Sequence, residues 1–338
     1  MKFLTIFNTI ISNKNIIGVM SSSIFIMFLG FYLGKKKHLK SSTSIPLGDI
    51  ILTLAIPALS FNAFMKDFNK EIFVNGINIL LWSFLIHLLL IALAELFYFN
   101  TPKDNREVLK MMTIFGGVTV FGIPIAQAIY GDVGVIYSSI FSIPYRILLY
   151  SYGFIKMSGL EFNKKNIKSM ICNPVIIATF LGLNIWMFQK YLPQVSIDNN
   201  LYSIFRIDKT AIWLYTPLSY LARLCSPLAW LAAGLKLSEI SIFESIKNKL
   251  SWQFSLVKGI ILPLLLLYFI KFLNLFNILL VSKSGLGVII IMMATPTASV
   301  IIAYSLKYNK SPIVASNCSF LSTFVSMITI PFLILLTL

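Results

Sequence analysis

Gly116-Gly117-Val118-Thr119-Val120-Phe121-Gly122-Ile123-Pro124-Ile125-Ala126-Gln127 lies within an apolar segment, about Glu107 to Tyr130, that is long enough to cross a membrane. By its local chemistry such a helix does not stay continuous. Pro124 has no N–H, so the Val120 carbonyl loses its helical partner, and Gly116, Gly117 and Gly122 lower the cost of unwinding just before it. A half-helix is expected to restart there. Its free N–H groups, near Ile125 to Gln127, would aim the positive end of a helix dipole at the middle of the bilayer, where an anion is favoured. Proline and glycine are common in membrane helices whose neighbours re-satisfy the backbone, so one such segment does not by itself make a site. A second stretch, Met292-Met293-Ala294-Thr295-Pro296-Thr297-Ala298-Ser299, interrupts another apolar segment in the same way. Two interrupted helices in corresponding halves are the mark of a transporter.

The 338 residues are 57% hydrophobic and 12% charged, with a mean hydropathy of +0.85. That is more apolar surface than a water-soluble core encloses, and it defines an all-α polytopic membrane protein. At about 20 residues per span, ten candidate spans fit with short connections and leave no room for a soluble domain. The formal charge of +16 sits in short loops between spans, which makes it a topology signal and not a nucleic-acid surface. Cys172, Cys225 and Cys318 lack metal-ligand spacing, and no cofactor is expected. The opening Met1-Lys2-Phe3-Leu4 reads as a retained interfacial lead-in and not a cleaved signal.

The spans run from about Asn15 to Gly34, Ile45 to Phe64, Ile72 to Tyr98, Glu107 to Tyr130, and beyond Gly131-Asp132 to Lys156; a loop with Lys164, Lys165 and Lys168 closes this half. The second half has spans from about Cys172 to Gln189, Thr210 to Leu235, Phe254 to Phe272, Gly285 to Tyr308 and Pro312 to Leu338, with a long polar connection, about Lys190 to Lys209, expected outside the cell. Loops after the odd-numbered spans hold 16 of the 28 Lys and Arg and the other face 9, while Arg146, Arg223 and Lys258 fall within spans. Positive charge favours the cytoplasmic side, so both termini are expected to be extracytoplasmic in the cell membrane. Pro57 and Pro227 are 170 residues apart, and Pro124 and Pro296 are 172 apart. An odd number of spans per half then gives two inverted five-helix repeats, residues 1–170 and 171–338, with their breaks meeting at the midplane.

With these motifs in place the chain resembles the auxin efflux carrier family, which includes bacterial organic-acid carriers and PIN-type transporters. The resemblance covers nearly the whole chain. It rests on Gly122-Ile123-Pro124 with Tyr130-Gly131, on Tyr137-Ser138-Ser139-Ile140-Phe141, and on Pro227 with Gly234. Ile56-Pro57-Ala58-Leu59-Ser60-Phe61, Ala294-Thr295-Pro296, Ala315-Ser316 and Thr329-Ile330-Pro331 add to it. The resemblance implies a ten-helix fold similar to that of bile-acid sodium symporters, with helices four and nine crossing at their prolines. It also implies a scaffold of spans 1, 2, 6 and 7, a moving transport bundle of spans 3–5 and 8–10, elevator-like transport of small organic anions, and a dimer through the scaffold. Where the family usually carries Gly-Asn before the crossover proline this chain has Gly116-Gly117, and Thr119 stands where bacterial relatives often have glycine, so the contacts credited to that asparagine do not carry over.

Among the candidate substrate-binding residues, Arg146 stands first. An ionised side chain in mid-span costs at least about 2.5 kcal/mol unless it meets a partner or a wet cavity, and carboxylates in spans are scarce. It would bind an incoming carboxylate through paired hydrogen bonds, or cap freed carbonyls such as that of Ile140, opposite Pro144. Gln127, Thr295, Thr297 and Ser299, beside Gly117, Thr119, Pro124 and Pro296 at the breaks, would supply neutral hydrogen bonds or hold helices together. Ser60, Asn62 and Asn317 read more simply as interhelical hydrogen bonds. His87 and Glu95 either relay protons or serve packing and the interface, and Arg223 and Lys258 read as structural. The reading is a secondary carrier of mono- or dicarboxylates, with a carrier of another amphipathic or neutral solute, or a membrane sensor, as the second reading. No P-loop and no paired aspartates or His-Glu-x-x-His helix are present for an ATPase or an intramembrane enzyme. Sodium held by freed carbonyls such as those of Val120 and Met292, proton coupling and uncoupled flux stay open.

Overall fold

Backbone N–H and C=O groups have no water to bond in hydrocarbon, and a helix pairs them within one segment. Apart from one hairpin, the regular structure among the described residues is helical. The structure, a computed structural model, describes residues 14–159, 172–238 and 242–337. The lead-in at Met1–Leu4 and the loop with Lys164, Lys165 and Lys168 lie outside the described residues. The principal helices are α1 (Lys14–Lys35), α2 (Ser44–Ala63), α3 (Lys70–Tyr98), α4 (Lys103–Ile114), α5 (Val118–Ser158) and α6 (Pro174–Phe188). They continue as α7 (Ile212–Leu237), α8 (Lys249–Leu275), α9 (Lys283–Ala294), α10 (Ser299–Lys307) and α11 (Pro312–Leu335). Of these, α2, α3, α5, α7, α8 and α11 are long and apolar enough to cross a membrane, while Ile24–Lys35 of α1, α6 and α9 are shorter apolar helices.

The element α5 is two helices joined at Gly131, whose φ of 58° and ψ of −142° are open to glycine but rarely to other residues. The chain folds back there. A Cβ on Gly134 would strike the carbonyl of Ala126, a residue that a straight helix would place about 12 Å away. The expected tight connection at Gly131-Asp132 is therefore present.

Prolines behave differently from expectation. Pro124 does not open a gap: a π-helical turn at Val118–Gly122 precedes it, the Ile123 N–H reaches back to the Val118 carbonyl, and the helix runs on through the proline. Widening the turn by one residue shifts the donors past the missing N–H. The same device, at Ile51–Ala55 and Val257–Ile261, precedes Pro57 and Pro263. At Pro227, by contrast, α7 is divided just upstream, at Leu224.

Among the described residues the most extensive helix pairing is that of α1 with the second part of α7. Small residues permit it, because a Cβ on Gly234 would collide with the Met27 carbonyl, and one on Gly30 with the Leu231 carbonyl. The helix α2 packs on α6 and on the first part of α7, whereas α5 packs on α3 and α9, and α8 on α11.

Side-chain contacts define two ends of the bundle. At one end Arg106 and Lys110 reach Glu95 (3.3 and 3.5 Å), and Lys310 reaches Glu107 (3.4 Å) and the Lys156 carbonyl (2.7 Å). At the other, Lys66 approaches Asp132 (3.8 Å), the Trp186 indole donates to the Asp67 carbonyl (3.1 Å), and Asn78 and Trp82 donate to the carbonyls of Leu280 and Leu279. The polar connection after α6 holds a β-hairpin, β1 (Gln194–Ile197) with β2 (Asn200–Ser203). Its two-residue turn, Asp198-Asn199, has positive φ at both positions, as a twist-matched hairpin needs. Beneath it Arg206, 3% exposed, binds Asp208 (2.8 Å), Asp67 (2.9 Å) and Gln189 (3.0 Å). Burial alone would lower the basicity of this guanidinium, but the two carboxylates outweigh it and hold its pKa above the usual arginine value.

Gly234→Leu should separate α1 from α7 and cost about 1–3 kcal/mol through overpacking. Thermal unfolding of the detergent-purified protein should show a lowered midpoint, while Gly18→Leu, with nothing within 4 Å of its would-be Cβ, leaves it unchanged.

Candidate functional site

Two interruptions meet inside the bundle. Between α4 and α5 the chain is extended at Phe115 (φ −105°, ψ 94°), and between α9 and α10 it is extended at Thr295 (φ −60°, ψ 147°). The exposed backbone of each is satisfied by the other: Gly117 N–H donates to the Pro296 carbonyl (2.6 Å) and Ala298 N–H to the Phe115 carbonyl (2.9 Å), making an isolated antiparallel bridge of Gly116 with Thr297. Glycine is needed for this approach, since a Cβ on Gly116 would lie 2.5 Å from Thr295 Oγ1 and one on Gly122 2.5 Å from Met292 Sδ.

This corrects two expectations. The first interruption is at Phe115–Gly117 and not at Pro124, so the free N–H groups are those of Val118, Thr119 and Val120 instead of Ile125 to Gln127. The first helical bond of α5 runs from the Phe121 N–H to the Gly117 carbonyl. The bridge joins residues 181 positions apart, whereas Pro124 and Pro296 are 172 apart. The prolines therefore do not hold matching places: Pro296 lies in its interruption and Pro124 lies beyond its own, buried within α5.

Freed carbonyls are capped one by one. The Tyr145 hydroxyl donates to Gly116 O (2.7 Å), Thr295 Oγ1 to Met292 O (2.7 Å), Ser326 Oγ to Ala294 O (2.7 Å), and Lys258 Nζ to Thr113 O (2.8 Å). The C-terminal ends of α4 and α9 and the N-terminal ends of α5 and α10 thus converge here. Two of these dipole ends are negative and two positive.

Two buried cations accompany them. Arg146, 3% exposed, sits on the returning part of α5 two residues after Pro144, and its Nη2 donates to Thr119 Oγ1 at 2.8 Å. Its Nε is buried without a hydrogen-bond partner. Lys258 is fully buried on α8. Among the described residues neither cation has a carboxylate partner. The Ile140 carbonyl, proposed as a cap for Arg146, is not among its hydrogen bonds. Sequence reading missed Lys258 as part of this site. The available signal was a lysine inside the apolar run Phe254 to Phe272 with no acidic residue in that run.

Gly117, Thr119, Thr295, Pro296 and Thr297 come together at the crossing, and Thr297 Oγ1 is buried there without a hydrogen-bond partner. Gln127 is half-buried further along α5. The side chain of Ser299, the first residue of α10, lies outside the described residues. Ser60 accepts from Ser139 (3.0 Å), joining α2 to α5, and Asn62 donates to Ser219 on α7 (3.4 Å). Asn317 accepts from Ser245 (3.1 Å) near the start of α11. His87 is a packing residue: its Nδ1 lies 2.6 Å from the Ser83 carbonyl, its ring is 5.7 to 6.3 Å from those of Phe141, Tyr145 and Phe115, and Nε2 has no partner. Glu95 is at the bundle end in its ion pairs with Arg106 and Lys110. No group of three His, Cys, Asp or Glu gathers among the described residues.

A bundle of apolar helices with two interrupted segments paired at a buried crossing is the architecture of a membrane transport protein, and the family model of that description matches residues 16–334. The chain belongs to this family, the auxin efflux carriers with their PIN-like members. No curated protein matched the chain.

Gly116→Val should cost about 1–3 kcal/mol by forcing Thr295 from its cap. Gly117→Ala should cost less, because its Cβ would lie 3.1 Å from Phe121 and 3.3 Å from the Pro296 carbonyl. The order of their unfolding midpoints in detergent checks the crossing geometry.

Proposed function

We propose that this protein is a secondary carrier of small organic anions, mono- or dicarboxylates, working by an elevator-like alternating-access movement in the cell membrane. The observation that carries the reading is Arg146: a guanidinium buried at the crossing, with no carboxylate partner among the described residues and with Nε left open. A fixed planar cation of this kind suits a carboxylate, which it can bind through parallel hydrogen bonds. The N–H groups of Val118 to Val120 present positive dipole ends beside it, and Thr119 and Thr297 add neutral partners. Proton coupling through His87 is disfavoured by its enclosure among aromatic rings.

The transport cycle follows from a division of the helices. We read the chain as ten spans in two inverted repeats, residues 1–170 and 171–338, with α4 and the start of α5 as the fourth span and α9 with α10 as the ninth. Support comes from the antiparallel bridge between interruptions that enter from opposite ends of the bundle. The tighter packing of α1, α2, α6 and α7 among themselves supports a scaffold against which the other helices move. The end carrying Arg106, Lys110, Lys156 and Lys310 is read as cytoplasmic on its positive charge. A pocket there is lined by Lys103, Arg106, Lys110 and Lys156 against Glu95 and Glu107, and would gather anions at the entrance.

Proteoliposomes should take up one or more radiolabelled carboxylates saturably and ignore their neutral analogues. Arg146→Gln, inserted and folded, should lose about 2–3 kcal/mol of binding, roughly 30- to 150-fold in apparent affinity. Unchanged uptake by this variant would remove Arg146 from the site, and no movement of any carboxylate under sodium, proton or voltage gradients would favour a different solute or a sensing role.

A further inference from the structure

We propose that the Lys258 ammonium occupies the cation position formed by the half-helix ends at the crossing, so that no sodium ion binds there and transport runs without one. Helix C-termini present carbonyls with a partial negative charge, and two of them, those of α4 and α9, point into the same buried place from opposite ends. A cation is the natural neutraliser. In this chain the cation is covalent: Lys258 projects from the π-helical turn Val257–Ile261 of α8, is fully buried, and donates to Thr113 O at 2.8 Å in the last turn of α4.

The α9 side of the same position is also at hand. A Cβ on Gly116 would lie 3.2 Å from Lys258 Nζ, 2.5 Å from Thr295 Oγ1 and 3.4 Å from Met292 O, so the ammonium and both oxygens border the small space that Gly116 leaves open. These oxygens are the hard, uncharged donors that a sodium ion would use, and no carboxylate joins them among the described residues. The donor set therefore does not fit sodium while the lysine is present. An incoming ion would meet a fixed positive charge a few ångströms away, with its best ligand, Thr113 O, already taken. Lysine suits the role: its compact head donates in up to three directions and its four-carbon stem reaches the crossing from a neighbouring helix.

That transport itself ignores sodium rests on the carrier reading, but occupancy of the position does not, and it is tested without a substrate. The unfolding midpoint of the purified full-length protein is measured in sodium chloride and in choline chloride at equal ionic strength. Native protein and Lys258→Arg should give the same midpoint in both salts. Lys258→Ala and Lys258→Gln should have a lower midpoint in choline chloride and regain several degrees in sodium chloride, as the vacated oxygens accept the ion. A sodium-selective shift in the native protein would overturn the proposal. So would a monodisperse Lys258→Ala or Lys258→Gln protein that responds equally to both salts. If neither neutral variant folds even in sodium chloride while Lys258→Arg does, the lysine is a structural clamp and not the occupant of a cation position, which also overturns it. Loss of carboxylate uptake alone would count against the carrier reading and leave this one standing.

Discussion

Backbone polar groups deep in a membrane protein must find partners, and here two interrupted helices find them in each other. Gly117 to Pro296 and Phe115 to Ala298 are main-chain bonds between segments some 180 residues apart in sequence. Without them each interruption would leave donors and acceptors stranded at several kcal/mol apiece. The pairing fixes the crossing of four half-helices. It also explains the glycines, since side chains at Gly116 and Gly122 would push the segments apart.

A crossing of helix ends is electrically uneven, and the charged residues around it follow from that. Lys258 lies against the negative end of α4, and Arg146 lies by Thr119 at the positive end of α5. The two arginine and lysine side chains are therefore different in kind. Lys258 is directed to a carbonyl that needs a donor, whereas Arg146 sits beside N–H groups that already carry positive character and keeps one nitrogen open. The first arrangement is satisfied within the protein, and the second leaves a buried donor nitrogen without a partner.

The remaining polar contacts serve the ends and the seams of the bundle. Arg206 ties the hairpin region to Asp67 after α2, and Lys310 ties the end of α10 to α4 and α5. Ser60 with Ser139 and Asn62 with Ser219 are hydrogen bonds of the sort that hold membrane helices together. A π-helical turn before each of Pro57, Pro124 and Pro263 keeps the helix continuous, including at Pro124, where the sequence suggests a break.

Sequence alone determined that the chain is a helical membrane protein with two interrupted segments, because composition, span length and Gly/Pro placement act locally; the auxin efflux carrier type came from the resemblance of its motifs. It also marked Arg146, since a charge in an apolar run is expensive wherever the run ends up. Tertiary structure decided the rest. Whether a proline breaks a helix depends on whether a widened turn and a paired neighbour can absorb its missing N–H, which is why the first interruption lies at Phe115–Gly117 and not at Pro124. Whether a buried lysine is tolerated depends on which helix end it meets, and only the fold brings Lys258 to Thr113, 145 positions away. Asn317 and Ser60 looked alike as polar residues in spans, but packing pairs one with Ser245 and the other with Ser139. These are long-range pairings, and no local pattern encodes them.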